Sequence, residues 1–409
     1  METVIKISQF LLSLSILILL HEMGHFAFAK LFKTRVEKFY LFFNPWFSLL
    51  KFRYKETTYG IGWLPLGGYV KIAGMIDESM DKEQMKKPAQ PWEFRSKPTW
   101  QRLLIMLGGV LVNFVLGFFI YIMILFAWGE RTLPNENIND GIWTTNNLVG
   151  ELGIKTGDKI IAFNGEPVGD KSFQDVMSDF IVSKTIDIER NGKKITLEIP
   201  VNFIEKLIDN KSRLLYYPRI PFYISTVSDS SENVGIIKVR DRILSVNNVE
   251  VKYFDEFKDI AAQFKGSTVD IKLERDGKVM NVDAKISNDG KLGVIPAIFN
   301  LDQLDKLDIY NFVYKKYTFT EAIPAGIDKG VNKMANYLKQ LKLIVNPNTG
   351  AYKGIGGFGT ITKLFPQVWD WQTFWEITAL LSLMLGIMNV LPIPALDGGH
   401  VIFLLYEMI

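Results

Sequence analysis

Between Leu103 and Trp128 the chain runs for 26 residues without a charge (LLIMLGGVLVNFVLGFFIYIMILFAW). As a helix this stretch is long enough to cross a hydrocarbon core of roughly 30 Å. Two more apolar runs flank it, Phe10 to Phe32 and Phe374 to Ile409, so three spans are expected. A mean hydropathy of +0.11 with 22% charged residues is too apolar for an ordinary soluble enzyme and too polar for a chain of many spans. A large polar portion must therefore lie outside the bilayer, and 129–373 supplies it. A cleaved signal peptide is the ordinary alternative for the first run. His21, Glu22 and His25 interrupt that run, and Lys30, Lys33, Arg35 and Lys38 follow it as a stop-transfer pattern, which favours a retained span.

Orientation follows from the basic residues. From Lys30 to Arg102 there are 14 Lys/Arg against 7 Asp/Glu, and such loops stay on the cytoplasmic side. The N-terminus and the 129–373 segment are then expected outside. The 47 basic and 44 acidic residues leave a net charge of +3, which gives no signature of a nucleic-acid partner. Cysteine is absent, which excludes disulfides, zinc–thiolate sites and thiol catalysis.

The chemistry is concentrated in the first run. His21-Glu22-Met23-Gly24-His25 is an H-E-x-x-H motif. On a helix its two imidazoles share one face and reach one metal ion, with the glutamate beside them. Zinc suits such ligands, and a catalytic site uses three protein ligands with a position open to water. Ionisable groups inside a span cost several kcal/mol unless they face a partner or a cavity, and a divalent cation is the simplest compensation. The third ligand should be another buried polar group at the same depth. Asp397 in Leu396-Asp397-Gly398-Gly399-His400 is the candidate. Pro392 and Pro394 break the helix before it, and the two glycines let the carboxylate turn into the bundle. His400 is read as supporting that site or as structural, with a role as fourth ligand the alternative.

Residues 154–168 (IKTGDKIIAFNGEPV) and 237–251 (IKVRDRILSVNNVEV) align without a gap, 6 of 15 positions being identical. Each copy continues into a helical stretch (Phe173–Ile181; Tyr253–Phe264) and two alternating strands, Ile186–Glu189 with Lys194–Ile199 and Val269–Glu274 with Val279–Ala284. Asn191-Gly192 and Asp276-Gly277 sit between the strands of each pair, a strong hairpin signal. Two α+β domains of one type are expected. They resemble tandem PDZ domains of the bacterial protease type, through Gly157, Asp158, Asn164 and Gly165 in the first copy. In the second, Arg240 and Asn248 replace the glycines, so different turns are expected there. Peptide capture at a sheet edge and a spacer or steric filter both remain open for this pair. After Pro324 the chain reads as an amphipathic helix with the stripe Ile327, Val331, Met334, Leu338, Leu341 and Ile344, lying either on the outer membrane interface or against a PDZ domain.

Together these features resemble the site-2 protease family in its bacterial regulator-of-sigma-E form. The resemblance rests on H-E-x-x-H in the first span, on Asn389, Pro392, Leu396, Asp397 and Gly398 near the end, and on the PDZ pair between them. The stretches Gly60 to Lys71, Phe94 to Pro98, and Gly108-Gly109 with Asn113-Phe114 match further family elements. The implied fold is a polytopic α-helical metalloprotease bundle with a membrane-associated β-hairpin, plus two α+β PDZ domains. The division runs 1–128 for two spans and the β-loop region, 129–205 and 215–300 for the PDZ domains, 309–373 for amphipathic helix and linker, and 374–409 for the third span. The resemblance implies a zinc metalloendopeptidase working inside the bilayer. His21, His25 and Asp397 would hold zinc, and Glu22 would act as general base and acid. Asn389 and the glycine-rich stretch with Gly67 and Gly68 would handle an unwound substrate. Implied substrates are transmembrane segments of single-pass proteins, such as anti-sigma factors or remnant signal peptides. The implied location is a bacterial inner membrane with the PDZ domains on the periplasmic side. Family members usually carry a fourth span after the L-D-G segment, whereas this sequence ends at Ile409. A non-catalytic membrane scaffold presenting its PDZ pair to envelope proteins is the main rival, disfavoured by the intact Glu22. A metal transporter predicts more polar residues along the second span than Asn113 and Tyr121.

Overall fold

The computed structural model describes residues 2–65, 67–75, 88–144, 146–211, 215–394 and 396–408. Leu66, inside the Gly60 to Lys71 stretch, lies outside them. The chain divides into two compact units, residues 1–130 with 315–341 and 355–409, and residues 131–314 with 342–354.

In the first unit the apolar runs fold as helices. They are α1 (Glu2–Leu31), α2 (Thr99–Trp128) and, in the last run, Trp371–Val390, each long and apolar enough to cross a membrane. Lipid gives no hydrophobic drive for helix association, so close backbone contact must supply it. Small residues do this here. A Cβ at Gly24 would overlap the Gly108 carbonyl, and one at Gly117 would come within 2.7 Å of Leu383. Buried hydroxyls add interhelical hydrogen bonds: Thr378 Oγ1 donates to Ser13 Oγ at 2.9 Å, and Ser382 Oγ donates to the Asn113 carbonyl at 2.7 Å.

Between α1 and α2 lies a four-stranded sheet of β1 (Val36–Leu41), β2 (Phe43–Tyr54), β3 (Thr57–Leu64) and β4 (Tyr69–Ile72), in the order β2-β3-β1-β4. The resemblance places the hairpin in the glycine-rich 60–74 stretch, whereas the adjacent antiparallel pair is β2 with β3. The glycine-rich stretch is not a hairpin of its own, because its two ends lie on opposite sides of β1: β3 pairs parallel to β1 and β4 antiparallel. Val36 and Ile72 are buried with Ala29 of α1 and Ile105 of α2, which seats the β1–β4 side of the sheet on the helices.

In the second unit the repeat folds as two α+β modules with one topology. The first has β5 (Lys159–Phe163), β6 (Glu166–Pro167), α3 (Phe173–Val182), β7 (Thr185–Arg190) and β8 (Lys193–Glu198). The second has β9 (Arg242–Val246), β10 (Val249–Glu250), α4 (Phe254–Ala261), β11 (Thr268–Arg275) and β12 (Lys278–Lys285). The sheet orders are β6-β5-β7-β8 and β10-β9-β11-β12. Both two-residue turns, Asn191-Gly192 and Asp276-Gly277, have positive φ at each position, as a type I′ hairpin requires. A buried ion pair recurs: Arg190 donates to Asp158 at 2.7 Å and Arg275 to Asp241 at 2.8 and 2.6 Å.

The turns of the second module do not differ from those of the first. Arg240 has φ 73° where Gly157 has 92°, and Asn248 has 66° where Gly165 has 81°. Packing imposes the left-handed conformation even without glycine. For Arg240 the strain is about 1–2 kcal/mol, offset on substitution by the roughly 0.5–1 kcal/mol of extra backbone entropy that glycine loses on folding. Arg240→Gly is therefore expected to stabilise this module by about 0.5 kcal/mol, read from the denaturation midpoint; a lower midpoint would contradict the strain argument.

Back in the first unit, the amphipathic helix is α5 (Phe319–Val345). It begins five residues before Pro324, which sits in its second turn at the loss of one hydrogen bond. Its fully buried positions are Ala322, Gly326 and Gly330; of the apolar stripe Met334 packs beside Ile120 and Tyr121, while Ile327, Val331 and Leu338 stay 45–49% exposed. The glycines explain which face meets α2: added Cβ atoms would meet Ile122 and Phe118 at 2.6 Å, so this face permits close approach. The final run is two helices, α6 (Trp371–Val390) and α7 (Asp397–Glu407), broken where Pro392 and Pro394 fall. A Cβ at Gly398 would collide with the Leu391 carbonyl, so only glycine allows the chain to fold back there.

Candidate metal centre

Helical spacing on α1 places His21 and His25 on one face, both buried at 8% exposure. Their Nε2 atoms lie 3.2 Å apart. The break before α7 brings the Asp397 carboxylate to them from the other end of the sequence, with Oδ2 at 3.2 Å from His21 Nε2 and 3.4 Å from His25 Nε2. Oδ2 is buried and accepts no hydrogen bond.

These distances test whether a cation fits. Zinc binds nitrogen and oxygen at about 2.0–2.1 Å in tetrahedral geometry, which sets neighbouring ligand atoms about 3.3 Å apart. The three observed separations straddle that value. The far side of each ring is also occupied. His25 Nδ1 donates to the Ile105 carbonyl at 2.8 Å, which leaves its Nε2 with a lone pair. His21 Nδ1 lies 2.9 Å from the side-chain amide of Asn113. Two imidazole nitrogens and a carboxylate oxygen so converged, with each ring backed by a partner on its outer side, are what a buried metal site requires. Room for the rings comes from α2: a Cβ at Gly109 would lie 2.6 Å from His25 Nε2 and 2.7 Å from His21 Nδ1.

Glu22 is half-buried beside this group. Its Cγ would be 3.3 Å from a Cβ at Gly68, at the start of the segment that leads into β4. The edge strand β4 therefore meets α1 at the motif glutamate. Gly67 lies instead against the Phe43 ring. Asn389 is buried in the last turn of α6, and His400 is exposed on α7, outside the group of three. Sequence reasoning missed the Asn113 and Ile105 contacts and the clearance at Gly109. The one signal for them was a lone amide and a Gly-Gly pair in an otherwise apolar span.

A spanning bundle that closes an H-E-x-x-H helix with a carboxylate from a broken C-terminal helix defines a membrane-embedded metallopeptidase. The family model for Peptidase family M50 matches residues 9–409. The chain belongs to that family, the site-2 proteases, and is a multi-pass membrane zinc metalloprotease. It is 26% identical to the Regulator of sigma E protease of Haemophilus influenzae, over 99% of this chain and 91% of that one. It is 27% identical to the Regulator of sigma E protease of Salmonella typhi, over 98% and 90%. Among solved structures, the PDZ domain of the SdrC-like protein from Listeria monocytogenes matches 20% of this chain and 90% of its own at 24% identity and a TM-score of 0.18, a likeness too slight to build on.

Proposed function

We propose that the protein is an intramembrane zinc endopeptidase that cuts membrane-spanning segments of single-pass proteins, with His21, His25 and Asp397 as zinc ligands and Glu22 as the proton-transfer group. The observation that carries this reading is the convergence of three ligand atoms within 3.4 Å of one another, two on the membrane-length helix α1 and one at the start of α7. When bound, zinc would polarise a scissile carbonyl and lower the pKa of a water toward roughly 7. Glu22 takes the proton of the attacking water and delivers it to the departing amine as the C–N bond breaks. Peptide bonds in a helix are already hydrogen-bonded and sterically closed, so the substrate must unwind. The glycine-rich stretch with Gly67 and Gly68, which leads into β4 beside Glu22, is assigned to hold the unwound segment, with Gly68 allowing close approach. Asn389, buried near the helix break, is assigned to the same substrate segment.

The excess of basic residues in 30–102 supports a cytoplasmic location for that loop and a periplasmic one for residues 129–373 of a bacterial inner membrane. The PDZ-like pair, 129–205 and 215–300, would then meet the extramembrane part of a substrate, as peptide ligand or as filter. The two relatives are named as regulators of sigma E, and the substrate classes proposed for this chain are anti-sigma factors and remnant signal peptides. The test is cleavage of a tagged single-span protein in proteoliposomes, with product ends mapped by mass spectrometry. Cuts within the span or a few residues from it are expected. Cuts confined to the water-exposed part, or none, would overturn the proposal.

A further inference from the structure

Asn113 is wholly buried in the middle of α2, in a stretch whose other residues are almost all apolar. Burying an amide with incomplete hydrogen bonding costs about 1–3 kcal/mol, so its presence calls for a reason. Its one side-chain hydrogen bond among the described residues is to His21 Nδ1, at 2.9 Å, and with Nδ2 on that nitrogen Oδ1 is left without a partner. The backbone carbonyl of the same residue accepts from Ser382 at 2.7 Å, which pins this turn of α2 to α6 and holds the amide in place.

The tautomer of His21 decides which end of the amide faces it. For Nε2 to offer a lone pair to a metal, Nδ1 must carry the ring proton and needs an acceptor. The two ends of an amide are nearly the same size, so the carbonyl end fits in the same place at the same distance. The other histidine is handled in the same way, since His25 Nδ1 donates to the Ile105 carbonyl. Each ring is thereby held from behind by an oxygen carried on α2, one helical turn to either side of Gly109: Ile105 supplies a backbone carbonyl and Asn113 a side-chain carbonyl.

We propose that Asn113 is a positioning residue for the metal centre, accepting the Nδ1 proton of His21 and so fixing both the tautomer and the ring plane that present Nε2. This rests on the zinc reading above. Partners of this kind are worth about 10–100-fold in metal affinity. The bond from Ser382 goes to the main chain, so replacing the side chain leaves the docking of α2 on α6 intact.

The test measures zinc affinity by chelator competition on the full chain purified in detergent, with the visible spectrum of the cobalt-substituted protein as a report on coordination geometry. Asn113→Leu, close in size but without an acceptor, is expected to weaken zinc by about 10–100-fold and to alter the cobalt spectrum. Asn113→Asp keeps an acceptor in the same place and should stay within about threefold of the parent. Asn113→Ala is measured alongside, so that misfolding of one variant still leaves the comparison. Affinity unchanged in Leu and Ala, or lowered equally in Leu, Ala and Asp, would overturn the proposal. A parent protein that binds no zinc would instead sink the metal reading itself, and this inference with it.

Discussion

Glu22→Gln is expected to lower cleavage of a single-span substrate by about 10²–10⁴-fold, the range for loss of a general acid–base, while zinc stays bound at one per chain. The two effects separate because Glu22 is not among the three converging ligand groups. Glutamine keeps the size of the side chain, so the approach of β4 to α1 should survive. What it loses is the ability to take a proton from water. Measured turnover with zinc content on the same preparations distinguishes this from a ligand role: loss of both together would make Glu22 a ligand, and loss of neither would end its assignment as base.

The second large effect is at Asp397. Structural four-ligand zinc sites are worth about 10–16 kcal/mol, so removing one ligand should cost about 3 kcal/mol, roughly two orders of magnitude in affinity. Asp397→Ala is expected to lose zinc at micromolar free metal and to lose cleavage with it. It also leaves the Nε2 atoms of His21 and His25 facing each other at 3.2 Å with no charge between them, so the break between α6 and α7 should loosen. Zinc retained at parental affinity in Asp397→Ala would mean that the carboxylate is only a hydrogen-bond partner of the histidines.

The readable part of this molecule was local in sequence. The second span announces itself by 26 uncharged positions in a row, H-E-x-x-H by helical periodicity, and the hairpins of both modules by Asn-Gly and Asp-Gly. Asp397 could be paired with the histidines because a carboxylate in an apolar run is too costly to bury without a cation or a partner, and the prolines and glycines around it free it to turn inward. What escaped was set by tertiary contact. The stripe on α5 was legible, yet which face is buried depended on Gly326 and Gly330 meeting Ile122 and Phe118. Close approach outweighed apolar area there, as expected where the surroundings are themselves apolar. Arg240 adopts a glycine conformation because the repeat's buried Asp241–Arg275 pair and strand pairing hold the turn in place. The role of Asn113 lies in a contact spanning 92 positions, which no local pattern encodes.

X-ray absorption at the zinc edge, on the purified parent protein and on Asp397→Ala, tests most directly whether one metal ion is gripped by two imidazoles from the opening helix and one carboxylate from the closing one. The expected result is a first shell of nitrogen and oxygen at about 2.0–2.1 Å, with outer-shell scattering from two imidazoles in the parent and a changed or absent first shell in the variant. A parent spectrum without two imidazoles, or one identical to that of the variant, would contradict it.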